Sequence, residues 1–231
     1  MKRLIFVSTG RCGTARIAQL LREKLSDKYS VVHQMRYSRL ANIVGNVMLY
    51  VGESNSIKRL LYEFIVSRYD RRTHSVSTDP LTSMIIPKEY IFSPEVCIVH
   101  IIRDDTSFAR SFFSFSRSRL ISFIAHNFVP FWQPGIWPLE NILNRNIGKK
   151  YQGVWRLKNT FFSEKYSVNP NYYQVKMENI FATPVLQDIV NGFFEESISV
   201  SAGDLSIRAN ESKDLSQSLE GWGQKYRRER P

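Results

Sequence analysis

Two cysteines in 231 residues, Cys12 and Cys97, are too few for a disulfide framework. Both fall in stretches that read as a turn and a buried strand, which predicts free thiols and a reducing, cytoplasmic setting. No apolar run approaches the ~18 residues of a membrane span. The run from Leu4 to Val7 is too short for the apolar core of a secretory signal. A transmembrane anchor and a secreted disulfide scaffold are therefore not expected, while peripheral contact with a membrane surface stays open. A Gly-Lys-Ser/Thr triplet is also absent, and with it the lysine and the magnesium-binding hydroxyl of an ordinary ATPase or GTPase loop. Acid is scarce, with 21 Asp and Glu against 32 Lys and Arg, a net charge of +11. Such an excess suits a polyanionic cofactor, an acidic acceptor, nucleic acid or an anionic membrane surface, and its sign alone does not choose among them.

What the chain does contain is concentrated at its start. Lys2-Arg3-Leu4-Ile5-Phe6-Val7-Ser8 reads as an apolar strand, and Thr9-Gly10-Arg11-Cys12-Gly13-Thr14 as a glycine-bearing turn that opens a helix. Backbone N–H groups at such a helix start point outward, and the helix dipole favours negative charge there. Arg11 adds a fixed guanidinium fork suited to phosphate or sulfate oxygens. Thr14 can cap the helix or bond an oxyanion.

A second segment has the same logic. The nearly continuous apolar run from Glu95 to Ile102 reads as a buried central strand. It ends at Arg103-Asp104-Asp105, where Asp104 or Asp105 can cap a following helix. Arg103 thus stands at the carboxyl end of a strand, where open α/β sheets bind ligands. Ser111, eight residues later, lies two helical turns on and can face the same side.

Strand and helix patterns alternate along the rest of the chain. Ile17, Leu20, Leu21 and Leu25 share one face of a first helix. Ser30–His33 reads as a second strand, residues 37–70 as mostly helical, and His74–Thr78 as a short third strand. The segment 172–177 alternates as a further strand, and Val185, Leu186, Ile189, Val190 and Phe193 fall at helical spacing. Asn46–Val51 reads as a core helix turn. This order predicts an α/β domain with a mostly parallel sheet flanked by helices and joined by right-handed crossovers. The length suits one domain over residues 1–231, with a polar, mobile stretch from about residue 203. Prolines 130, 134 and 138 forbid a regular helix through the aromatic-rich segment 120–139. That segment could line an acceptor site, touch a membrane, or pack on the core.

The two motifs together resemble the PAPS-dependent sulfotransferases, where PAPS is 3′-phosphoadenosine 5′-phosphosulfate. In that family a [K/R]-[S/T/C]-G-[S/T] turn binds the 5′-phosphosulfate, and this chain has Arg11-Cys12-Gly13-Thr14. An Arg at a later strand end, with a Ser eight residues on, binds the 3′-phosphate, and this chain has Arg103 and Ser111. The resemblance implies a P-loop-like fold and sulfuryl transfer from PAPS, with PAP as product, to an acceptor hydroxyl, a carbohydrate's among the candidates. It assigns cofactor binding to Arg11, Cys12, Gly13, Thr14, Ala15, Arg103 and Ser111, with Arg11 also catalytic and no metal. Arg11 in place of lysine, and no Lys-Thr-His element, lean towards the glycan- and tyrosine-modifying or bacterial-type branches. The family's C-terminal 3′-phosphate loop has no clear counterpart, with Lys225, Arg227 and Arg228 candidates by composition alone.

Three residues compete as the base. His33 stands 22 residues after Arg11, near where glycan-modifying members carry a catalytic carboxylate. Asp79 ends the third strand, and His74 begins it. His100 and His126 read as structural. Two other functions remain to be separated from the first: a phosphoryl transferase with an atypical turn, and a non-enzymatic binder of nucleic acid or acidic surfaces.

Overall fold

The computed structural model describes residues 1–66, 69, 74–118, 120–134, 147–182 and 184–200. Lys225, Arg227, Arg228, Trp137, Pro138 and the polar stretch from residue 203 lie outside them. The chain builds β1 (Arg3–Ser8), α1 (Thr14–Lys24), β2 (Tyr29–Val32), α2 (Ser38–Val51), α3 (Asn55–Val66) and β3 (His74–Ser77). There follow α4 (Lys88–Ile91), β4 (Val96–Ile102), α5 (Asp105–Arg117) and α6 (Leu120–Phe128). The last elements are α7 (Ile147–Tyr166), β5 (Tyr172–Lys176), α8 (Met177–Ile180) and α9 (Val185–Phe194).

The five strands form one sheet in the order β2-β3-β1-β4-β5, and every pairing is parallel. The sheet is thus wholly parallel, as its apolar strands require: a strand covered by helices on both faces can spend every position on burial. Alternation divides the two faces. Leu4, Phe6, Cys97, Val99 and Ile101 pack against Ile17, Leu20 and Leu21 of α1 and Leu186, Ile189 and Val190 of α9. Ile5, Val7, Val96 and Ile98 face the other way, against Tyr62 and Ile65 of α3 and Phe161, Phe162 and Tyr166 of α7. The aromatic segment is helical over Leu120–Phe128, stopping just short of Pro130.

Helix α7 is the longest element that no apolar period announced. Its buried side includes Lys158 and Asn159, which interrupt the pattern that marks a core-facing helix. Both have assigned places. Asn159 Oδ1 accepts from Nε2 of His100 at 2.9 Å, and Tyr172 OH donates to His100 Nδ1 at 2.8 Å. With both ring nitrogens engaged, His100 is the structural residue its apolar strand implied, and burial lowers its pKa to about 4. Lys158, only 2 % exposed, donates to Asn42 Oδ1 at 3.3 Å.

Burial pulls the Lys158 pKa down to about 8. Between that value and the usual lysine range near 10.4, the unfolded chain binds more protons than the folded one, so stability rises with pH. Chemical denaturation at pH 8 and pH 10.5 should show the wild type gaining roughly 3 kcal/mol more than Lys158→Met over that interval. Equal gains in the two proteins would contradict the burial of a charged amine at this position.

Candidate functional site

The turn after β1 is built on left-handed backbone. Gly10 (φ 88°), Arg11 (φ 58°) and Gly13 (φ 73°) all have positive φ. For Arg11 this conformation costs about 1 kcal/mol or more, and such strain is held in place only when neighbours over-determine it. Gly13 is also the N-cap of α1, and its carbonyl accepts from the N–H of Arg16 (2.9 Å) and of Ile17 (3.1 Å). An added Cβ at Gly13 would overlap the ring of Phe181, whereas one at Gly10 would enter open space. Among the described residues, no group accepts from the N–H of Cys12, Gly13, Thr14 or Ala15. These donors are the orphan N–H groups of a helix start, gathered by an αL turn into an anion-binding concavity.

The side chains complete it. Arg103, just past β4, donates from Nη1 to the carbonyl of Arg11 at 2.8 Å. Arg11 in turn donates from Nε to Ser111 Oγ at 3.3 Å and lies over the ring of Phe115 at 4.9 Å. The two motifs therefore converge on one spot: Arg11, Arg103 and Ser111 form a single cluster with the backbone of residues 12–15. Among the described residues no ion pair engages either guanidinium. Burial, with the like charge of Arg103 second, pulls the Arg11 pKa below its ordinary value. Arg103 Nε is buried without an acceptor. Two uncompensated cations and an orphaned donor are what an oxyanion of the ligand would satisfy. The Cys12 thiol takes no part: it is fully buried, bonds the Gly10 carbonyl at 3.2 Å, and burial pushes its pKa up to about 11. Only its N–H faces the concavity's chemistry.

Supports come from behind. Asp104 caps α5, its Oδ1 accepting from the N–H of Ser107 at 2.8 Å. Trp155 of α7 donates its indole N–H to the Arg103 carbonyl at 2.7 Å, fixing the strand end from the opposite side. Sequence reasoning missed this residue because the helix carrying it was not legible.

The candidate bases separate. His33 follows β2 and Thr78 follows β3, so both stand at the carboxyl edge of the sheet, with Arg11 and Arg103. His33 Nδ1 lies 3.1 Å from the Thr78 carbonyl and 3.1 Å from its hydroxyl. A carbonyl only accepts, so we assign the proton to Nδ1, which leaves a lone pair on Nε2. Burial lowers the His33 pKa, against the opposing effects of Thr78 and Asp79, which favours the neutral ring. Asp79 is 1 % exposed and both its oxygens are engaged: Oδ2 with the N–H of Met35 (2.9 Å), Oδ1 with the N–H of Leu81 (3.0 Å). It ties the loop after β2 to the loop after β3, and burial raises its pKa. His74 is at the amino end of β3, across the sheet from Arg11. It stacks on Tyr29 at 5.1 Å and lies 5.8 Å from the ring of Phe194. His126 sits among Phe112, Phe115 and Trp132, and burial lowers its pKa to about 4.

Compared with solved structures, the chain is similar to the sulfotransferase from Alicyclobacillus acidocaldarius, at 13 % identity and a TM-score of 0.43. That match covers 96 % of this chain and 91 % of that one. It is also similar to the sulfotransferase domain from the curacin biosynthetic pathway, at 12 % identity and a TM-score of 0.43, covering 91 % of this chain and 79 % of that one. No family model and no curated protein matches the chain. Likenesses this remote leave the chemistry to the residues of the site itself. Among the described residues, no cluster of three or more His, Cys, Asp or Glu is placed to hold a metal ion, and no helix is long and apolar enough to cross a membrane.

Gly13→Ala combines an αL penalty with a clash, whereas Gly10→Ala incurs the αL penalty alone. Thermal denaturation should show Gly13→Ala losing at least about 2 kcal/mol and Gly10→Ala about 1 kcal/mol. A reversal of that order would mean that the ring of Phe181 does not abut the turn.

Proposed function

We propose that this chain is a sulfotransferase that takes its sulfuryl group from PAPS. The carrying observation is the convergence of Arg11 and Arg103, unpaired with acid among the described residues, on a turn whose Cys12–Ala15 N–H groups have no acceptor among them. PAPS supplies an activated sulfuryl group for an acceptor hydroxyl. By the resemblance of the motifs, Arg11 and the N–H groups of Cys12, Gly13, Thr14 and Ala15 would hold the 5′-phosphosulfate, and Arg103 and Ser111 the 3′-phosphate. The features that fit this group are the orphaned Nε of Arg103, the open space at Gly10, and a donor set made only of N–H and O–H groups.

The residues do three things in this reading. The preorganised donors stabilise negative charge where it accumulates as the sulfuryl bond breaks, without reorganising at the moment of reaction. His33, held by Thr78 with Nε2 unprotonated, accepts the proton of the acceptor hydroxyl. Asp79 is a positioning residue, fixing the two loops on which His33 and Thr78 sit. β2 and β1 are two strands apart, about 10 Å between strand axes, and the register sets Val32 level with Ile5, so His33 and Arg11 are also offset along the strands. An acceptor hydroxyl is to be placed in that interval; a carbohydrate is the proposed class.

Calorimetry with PAP and with ATP tests the donor. PAP should bind without magnesium and in preference to ATP, and Arg103→Ala should weaken it roughly 10–100-fold. Equal binding of ATP, or no loss in the variant, would overturn the assignment in favour of a phosphoryl transferase or a generic anion binder.

The base has its own signature. Because the folded His33 titrates below its usual 6.5, kcat/KM should be flat through neutral pH and fall only in more acidic solution. His33→Gln should lower kcat by about 10²–10⁴ and remove that acid limb, while PAP affinity stays unchanged. An intact acid limb in the variant would assign the proton transfer elsewhere.

A further inference from the structure

Helices α2 and α6 each carry exposed apolar side chains beside buried polar ones. In α6, Asn127 is buried and is bonded by Lys150 Nζ at 3.1 Å, and His126 meets Gln133 Nε2 at 3.1 Å. Its exposed residues are Leu120 (75 % exposed), Ile121 (81 % exposed), Ile124 and Phe128. At 3.6 residues per turn these four span about 100° of arc. In α2, Asn42 and Asn46 point inward and donate to the carbonyls of Trp132 (2.8 Å) and Phe131 (2.7 Å). Away from them lie Leu40, Ile43, Val44, Val47 and Val51, within about 100° of arc, with Leu40 and Val51 (76 % exposed) at the surface and the other three half-buried. A surface helix ordinarily turns its apolar stripe to the core. Here two helices, joined by the bonds of Asn42 and Asn46 to the turn at Phe131 and Trp132, each leave apolar side chains in solvent.

Charge identifies what covers this face. No acidic residue occurs between Asp27 and Glu53, nor between Asp105 and Glu140. Those two stretches hold both helices and, between them, six Lys and Arg residues: Lys28, Arg36, Arg39, Arg110, Arg117 and Arg119. Arg36 and Arg39 stand at the start of α2, and Arg117 at the junction of α5 and α6. Among the described residues none of these three is in an ion pair. Aliphatic side chains on a helical face, flanked by arginine and free of acid, match the interface of an anionic bilayer, where apolar groups enter the acyl boundary and cations meet headgroups. A second copy of the chain would instead bring a like charge of +11 to the same face.

We propose that the α2–α6 face docks this protein on the surface of an anionic membrane. This contact is independent of the donor site, and its test requires no nucleotide.

Co-sedimentation with phosphatidylcholine vesicles, and with vesicles containing 30 % phosphatidylglycerol, reads it directly. The full chain should bind the anionic vesicles and bind pure phosphatidylcholine at least about tenfold more weakly. Arg117→Glu should cost roughly fivefold or more on anionic vesicles. The double substitution Ile121→Asp with Ile124→Asp should abolish binding, and since Ile121 has little packing to lose, the variant should keep its circular dichroism and its PAP affinity. Absence of binding to anionic vesicles, or full binding by the double variant, would overturn the proposal. So would a dimer in light scattering that the same double variant dissociates, which would give the face to a second copy.

Discussion

A single hydrogen bond, from Arg103 to the carbonyl of Arg11, holds the site in register. It joins the ends of two adjacent parallel strands, β1 and β4, and it does so through backbone on one side. A guanidinium that spends one donor on a carbonyl cannot swing away, so its charge is delivered to a fixed place. The same bond restrains the residue whose left-handed backbone most needs restraint. Strain in Arg11 and orientation of Arg103 are therefore one problem with one solution.

Around that bond the structure works as a set of braces. Trp155 fixes the carbonyl of Arg103, Asn159 of the same helix fixes His100 inside β4, and Tyr172 of β5 holds the other side of the imidazole. Asp79 does the corresponding work for the far half of the edge, tying two loops with one carboxylate. Each brace is a polar side chain in a place where an unpaired polar group would be costly. The sheet edge is consequently stiff where the cations lie.

Much of this was legible in the residues. The turn at 10–14 and the Arg103–Ser111 spacing locate the cluster because helix period and strand polarity leave few other places for them. The wholly parallel sheet follows from strands alternating with helices. What could not be read were the facings. Leu60 and Phe64 fit a helical period, yet Leu60 is 72 % exposed while Tyr62 and Ile65 fill the core. Asn46–Val51 is helical as expected, but its far end turns outward. Helix α7 was hidden because Lys158 and Asn159 lie on its buried side. The three candidate bases look alike in sequence, and only strand direction separates His33 from His74. Burial then distinguishes Asp79, whose oxygens are already engaged by backbone.

The contact between Gly13 and Phe181 links two distant parts of the chain in time as well as in space. The turn at residues 10–14 is made before every other part of the site. The ring against which it packs comes after β5, more than 160 residues later in the sequence. Arg103, which braces the same turn, arrives between them. A nascent chain that has reached Arg103 thus still lacks the ring against which the turn packs. The turn meets this packing partner only after β5, the strand beside β4, has been made.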